Sequence, residues 1–382
     1  MKHIIITICL MAIFTACSNE EQERPGRAVL VYMAADNNLG DNGYLTSDIR
    51  EIMAGSKNIA SNDRLYIFYS KRNTPCIYQV EQGDTIRRYT FTDDTHSSDP
   101  GTLRKALEWM ISDAQNINEY GLVLWGHSTG WEISNTLATN SRRAYGIENN
   151  GSTSTWMNIP DMAKALNGLP RLLFILADCC VFQCVETTYE LRNNVDYIIG
   201  SPAEIPNAGA SYSIVIPAFY NRTATFYQVI ADNYNIDYKG YLPLSVIKTS
   251  KMENLAQATH AAMATFVKPG EYQQTSGLIY YYNKNMIDMN DFIKSNASEE
   301  VYQTWKNQLD EVVIYKQFAA KWMTNALQPY VNFNDFTATE EKYGGISMFV
   351  YQQPKTSFLK NLNETINQMS WYDDARLRDF EW

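Results

Sequence analysis

The sequence predicts an α/β protein: a mostly parallel sheet with helices on both faces, followed by a mainly helical C-terminal part. Three observations predict it. Near-continuous apolar runs recur up to about residue 200, among them RAVLVYMA, GLVLW and LLFILA. Such runs mark strands buried on both faces, as parallel sheets require. Segments with helical spacing lie between the runs, which makes βαβ units. From about residue 213 the pattern changes to longer helical stretches.

The elements follow in order. RAVLVYMAAD, residues 27–36, reads as a strand ending in the polar loop NNLGDNG. LTSDIREIMAGSK sets Ile49, Ile52 and Met53 at helical spacing. RLYIFYSK (64–71) is a second strand, and CIYQVEQGDTIRRYTF alternates around Gly83 as a hairpin does. DPGTLRKALEWMISDA is an amphipathic helix opened by Asp99 and Pro100. YGLVLWGHSTGW is a third buried strand running into a glycine-bearing loop. Residues 132–157 are polar without a clear period and read as a long loop; IPDMAKALNGL then reads as a short helix. RLLFILAD is a fourth strand, VETTYELR a helix and VDYIIGSPAE a fifth strand. In the later part, SGLIYYYN and GISMFVYQ are the expected strands. No internal repeat or linker interrupts the chain.

The 382 residues suit one large domain or two smaller ones, and the composition is globular without low-complexity tracts. A net charge of -10 argues against nucleic acid as the main partner. The start, MKHIIITICLMAIFTAC, has a basic end, a short apolar stretch and a small residue before Cys17. That stretch is shorter than the roughly 20 residues a spanning helix needs, and it reads as a secretory signal. The ending FTAC resembles a bacterial lipoprotein processing site, so residues 1–16 are expected to leave and Cys17 to carry lipid. Residues 17–27 would then be a polar tether. The expected location is the outer membrane or surface of a Gram-negative cell envelope, with contact to the membrane through the lipid on Cys17.

Four cysteines remain after processing: Cys76, Cys179, Cys180 and Cys184. Adjacent cysteines rarely bridge, because disulfide geometry suits Cα atoms about 5.5 Å apart. Metal binding would want repeated, spaced Cys or His pairs, and only one cluster is present, so no metal site is expected. What remains is one reactive thiol, or three buried ones.

In open α/β sheets, ligands bind outside the carboxyl ends of the strands. One strand end, LVLWGH, delivers His127; another, FILADCC, delivers Asp178, Cys179 and Cys180. The other histidines compete poorly: His3 is in the signal, His96 in a polar loop and His260 in an alanine-rich helix. The pairing has a chemical purpose. The thiolate is the nucleophile, and a nearby imidazole takes the thiol proton or lowers its pKa. A helix beginning just after Cys180 would bring its positive end to the sulfur. Backbone N–H groups at that turn would supply an oxyanion hole. A histidine about fifty residues before the cysteine is also the caspase arrangement.

The chain resembles the clostripain family of cysteine peptidases, within the caspase-like clan. The resemblance runs through VYMAADNNL, DPGTLRKALEWM, LVLWGH, ADCCVFQCVETTYELR and DYIIGSPAEIPNAGASY, most of residues 28–220. It implies a caspase-like core over residues 28–220, with residues 221–382 packed onto it as a mostly helical part. Aligned on VETTYEL, the family's cysteine is Cys180; Cys179 takes the place of an alanine, and Cys184 lies on the following helix. The implied function is cleavage of protein or peptide substrates by a Cys180–His127 dyad through a thioester. The backbone N–H groups of Ser128 and Cys180 would form the oxyanion hole. Ser128 replaces the usual glycine after the histidine. The resemblance also implies a preference for basic residues before the cut, recognised by Asp178 and Glu204, although other acids common in this segment are replaced here. Self-cleavage at Arg142 and Arg143 in NSRRAYG is a further implication. No cofactor is required; calcium enters by the resemblance alone.

Two other readings use the same residues. An inactive peptidase fold would serve as a surface binding protein, and the altered specificity segment leans that way. A transferase or amidase would use the same pair, since one fold hosts many chemistries.

Overall fold

The computed structural model describes residues 25–71, 73–92, 95–133, 144–150, 153–282, 286–325 and 332–382. The first strand, β1 (Arg27–Ala34), is buried along its whole length. It is followed by α1 (Asn38–Asp41), α2 (Tyr44–Ser56) and the strands β2 (Arg64–Lys71), β3 (Asn73–Glu81) and β4 (Asp84–Thr90). Then come α3 (Pro100–Asp113), β5 (Glu119–Trp125), β6 (Tyr145–Asn150), β7 (Thr153–Met157), α4 (Ile159–Leu166) and β8 (Leu172–Asp178). Next are α5 (Val185–Glu190), β9 (Val195–Gly200), α6 (Tyr212–Ala218), α7 (Phe226–Tyr234) and β10 (Leu244–Lys248). The remainder holds α8 (Met252–Met263), β11 (Met286–Asp288), α9 (Met289–Asn296), α10 (Glu299–Val312) and β12 (Val313–Gln317). Short strands β13 (Met323–Asn325), β14 (Asn332–Phe333) and β15 (Ser347–Phe349) precede α11 (Ser357–Thr365) and α12 (Ser370–Asp374).

Nine of the described strands form one sheet in the order β12-β10-β9-β8-β5-β1-β2-β3-β4. The five central strands, β9 to β2 in that order, are parallel. Two antiparallel strands flank them on each side. Alternation along β1 feeds two cores. Ala28, Leu30 and Tyr32 pack with Leu103 and Leu107 of α3, Val185 of α5 and Leu309 of α10. Val29, Val31 and Met33 pack with Leu45 and Ile52 of α2, Val215 of α6 and Ile230 of α7. Both faces of the parallel strands are therefore apolar, which is why the runs show no two-residue period. Among the described residues no helix is long and apolar enough to cross a membrane.

Four expectations are corrected. The stretch 132–157 contains a hairpin, β6 with β7, pairing Tyr145 with Met157 and Asn150 with Thr153. Apolar periodicity misses it because the hairpin buries a carboxylate. Glu148 accepts from Ser97 N and Ser97 Oγ, both at 2.8 Å, and from Ser98 Oγ at 3.0 Å. In the later part, the described residues of SGLIYYYN form only a bridge from Tyr280 to Ile287, whereas GISMFVYQ does contain β15. Ile279 and Tyr281 instead join a small third core with Trp322 and Tyr343. Two strands of the main sheet, β10 and β12, lie in stretches that read as helical; β12 follows α10 without a break. Finally, the helix after the cysteines does not start beside Cys180. It is α5, with Cys184 as its N-cap residue.

Candidate active site

The register of the sheet brings two strand ends level. Trp125 of β5 pairs with Asp178 of β8, and Gly126 N donates to Asp178 O at 3.3 Å. Gly126 turns the chain with a φ of 149°, in the region that favours glycine. His127 follows, and its carbonyl accepts from Gly146 N of β6 at 2.9 Å. Ser128 continues in a bridge with Tyr145.

The segment after β8 is a turn held by the segment after β9. Val181 N donates to Ala203 O at 2.9 Å and Gln183 N to Ser201 O at 3.1 Å. Val181 has a φ of 56°. That conformation costs a β-branched residue on the order of 1–3 kcal/mol and persists only where its surroundings impose it. The constraint here is complete: Val181 is buried, and Gln183 Nε2 donates to Ile198 O at 3.1 Å and Ser245 O at 2.9 Å.

This turn sorts the three cysteines. Cys179 and Cys184 are fully buried, whereas Cys180 is half-buried. Burial pushes the Cys179 thiol well up, and burial with the charge of Glu186 pushes Cys184 to about 12. Neither is disposed to ionise at neutral pH. Cys180 Sγ meets the backbone of Ile205 on both sides, accepting from Ile205 N at 3.5 Å and donating to Ile205 O at 3.9 Å.

Cys180 and His127 line one cleft with Asp178, Leu39, Trp125 and Gly209. The cleft is small, about 20 Å³, room for roughly one water. His127 Nε2 lies 2.8 Å from Asn38 Oδ1. Asp178 is buried at the cleft and accepts from Tyr212 OH at 2.6 Å, Tyr234 OH at 2.7 Å and Ala210 N at 3.3 Å. Burial raises its pKa, and the two tyrosine hydroxyls pull against that rise. Gly209 lies so close that a Cβ there would stand 2.7 Å from both carboxylate oxygens.

A second carboxyl sits beneath. Asp48 of α2 accepts from Trp125 Nε1 at 2.7 Å. Burial first, and the charge of Asp178 next, push Asp48 up to about 8. Two neighbouring buried carboxyls do not both ionise cheaply. Asp178, with three donors against one for Asp48, is the better placed of the two to hold a charge. Sequence reasoning missed Asp48, Asn38, Tyr212 and Tyr234. A signal existed for Asp48 alone: it falls on the apolar face of its helix, between Leu45 and Ile52.

Glu204 is half-buried on the segment after β9 and is not among the residues lining the cleft; Asn207 of that segment is. Cys17, Arg142 and Arg143 lie outside the described residues. Among the described residues, no group of three or more His, Cys, Asp or Glu side chains is placed to hold a metal ion.

Comparison with known proteins bears on the family and the fold. The family model described as the clostripain family matches residues 31–381. No curated protein sequence is significantly similar. Among solved structures, a secreted cysteine protease from Bacteroides thetaiotaomicron, in complex with an irreversible peptide inhibitor, is 26% identical with a TM-score of 0.78. That match covers 93% of this chain and 99% of the other. An inactive zymogen protease from Parabacteroides distasonis is 27% identical with a TM-score of 0.73, over 92% of this chain and 98% of the other. A second secreted cysteine protease from Bacteroides thetaiotaomicron, "iotapain", shares the fold at 19% identity and a TM-score of 0.72, over 92% of this chain and 99% of its own. A family match over nearly the whole chain and a shared fold lead to one assignment: the chain belongs to the clostripain family and is a cysteine peptidase.

Proposed function

We propose that this chain is a lipid-anchored endopeptidase in which Cys180 and His127 form the catalytic pair. The observation that carries the pairing is their shared cleft at the carboxyl edge of the sheet, with the other two clustered cysteines sealed in the core. Cys180 Sγ attacks the scissile carbonyl carbon, and the thiol proton passes to His127. The C–N bond breaks as His127 returns that proton to the leaving amine, which leaves a thioester. Water then gives a proton to His127 and its oxygen to the carbonyl carbon; the C–S bond breaks and the thiol is regenerated. The backbone N–H groups of Ser128 and Cys180 would hold the oxyanion. The mechanism as written draws on no metal or cofactor.

The charge of Asp178 at the cleft supports a preference for Arg or Lys before the cut. Incubating the mature chain, from residue 18, with a diverse peptide mixture and reading cut sites by mass spectrometry tests both points. Cuts after Arg and Lys are expected; cuts scattered over all residue types count against the preference.

Two further parts of the reading have their own tests. Arg142 and Arg143 are the proposed self-cleavage site, so the native chain is expected in two pieces and an Arg142→Ala, Arg143→Ala chain in one. An active native protein that stays intact removes the idea. Cys17 is the proposed lipid attachment. Cys17→Ala is expected to move the protein from the membrane fraction to the soluble one, and a native amino-terminal peptide without acyl mass would rule the anchor out.

A further inference from the structure

We propose that Asn38 is a positioning residue for His127, holding the imidazole in the tautomer that catalysis requires. The inference rests on the reading of His127 and Cys180 as the catalytic pair. The central observation is the 2.8 Å contact from His127 Nε2 to Asn38 Oδ1. A carboxamide oxygen only accepts, so Nε2 must carry a hydrogen. A neutral His127 then has its lone pair on Nδ1, and Nδ1 is the atom that takes and returns the proton. The Nε2–H stays on Asn38 through the whole cycle, and the bond strengthens whenever the ring is an imidazolium.

The frame around Asn38 is built without its side chain. Asn38 is the first residue of α1, in the loop after β1. Its neighbour Asn37 is buried and pins that loop from both sides. Asn37 Nδ2 donates to Ala34 O and to Ile147 O, each at 2.8 Å, and Asn37 Oδ1 accepts from Leu39 N at 2.9 Å. Gly40 packs so tightly that a Cβ would stand 2.0 Å from Ala35 O. Ile147 belongs to β6, the strand whose Gly146 N holds the His127 carbonyl at 2.9 Å. The Asn38 carboxamide and the His127 ring are thus carried by one hydrogen-bonded frame joining β1, β5 and β6. Asn38 itself is exposed. Its side chain fills no core, so orienting the ring is the role left for it.

The test compares Asn38→Leu, Asn38→Asp, His127→Ala and Cys180→Ala with the mature native chain. The probes are fluorogenic peptides varied at the residue before the cut, using whichever the native chain cuts fastest. Asn38→Leu keeps the branched outline of the side chain and removes the acceptor. One exposed, partly solvated hydrogen bond is worth about tenfold in rate. The expected result is a kcat about tenfold lower with KM nearly unchanged. Asn38→Asp retains an acceptor and adds charge, so it is expected to restore kcat. It should also move the acid limb of the pH profile upward, because a carboxylate holds the imidazolium proton more tightly and the neutral ring is the form that takes the thiol proton. Melting temperatures should match throughout, since Asn38 is exposed. An Asn38→Leu chain that turns over like the native one, while His127→Ala and Cys180→Ala are inactive, overturns this proposal and leaves the pair standing. Equal losses in the Leu and Asp variants at every pH, with both limbs in place, would assign Asn38 to loop structure and also overturn it. Undiminished cleavage by His127→Ala or Cys180→Ala removes the pair, and the inference with it.

Discussion

Cys180→Ala is expected to abolish every cut the native chain makes, lowering kcat/KM by at least about 10³-fold. The size follows from losing the only atom that forms the thioester. Residual catalysis from oxyanion donors and binding has no nucleophile to work on except water. Its two clustered neighbours do not substitute. Cys179 and Cys184 have no exposed surface, and burial holds both thiols protonated at neutral pH. Cys179→Ala and Cys184→Ala are accordingly expected to change kcat/KM by less than about threefold, apart from effects on stability such as the lost contact from Cys184 Sγ to Thr187 Oγ1 at 3.0 Å. Cut-site spectra from the three variants, run beside the native chain, measure this. Cuts that persist in Cys180→Ala and vanish in Cys179→Ala would mean the nucleophile has been misassigned by one residue.

Asp178→Asn is expected to reduce cleavage after Arg and Lys by about 10²–10³-fold and to affect neutral residues far less. The carboxylate lies in the cleft that also holds Cys180, and its negative charge is favoured by two tyrosine hydroxyls and a backbone N–H. A guanidinium or ammonium group entering that cleft replaces water with a charge-assisted pair. Asparagine keeps the shape and removes the charge, which makes it a cleaner test than alanine. With alanine, Tyr212 and Tyr234 would each lose the partner of a buried hydroxyl, at a cost of about 1–3 kcal/mol each. The present cleft, about 20 Å³, is far smaller than an arginine side chain. Retained preference for basic residues in Asp178→Asn would show that another carboxylate, Glu204 being the nearest candidate in sequence, makes the selection.

Much of this molecule is legible in one dimension. The five parallel strands announce themselves because both faces of the sheet are apolar, so each strand is a continuous run. Strand ends are equally local: polar, reactive residues after such a run fall at the edge where ligands bind. His127 and the adjacent Cys179 and Cys180 stand out in that way; the resemblance to the family singles out Cys180. Reading failed where burial is polar or strands are short. Glu148 makes a buried hairpin look like a loop, and β10 and β12, at five residues each, are too short to declare a period.

The sequence by itself determined the parallel core and the two strand ends that carry His127 and the clustered cysteines, because each depends on residues adjacent in the chain. Only the tertiary structure decided which thiol reaches the cleft and which groups surround it. The Asn38–His127 contact joins residues 89 positions apart, Trp125–Asp48 spans 77 and Tyr234–Asp178 spans 56. No local pattern encodes such pairs. They exist because sheet register and helix packing fold distant loops onto one edge, where a carboxamide meets an imidazole and two tyrosine hydroxyls meet a buried carboxylate.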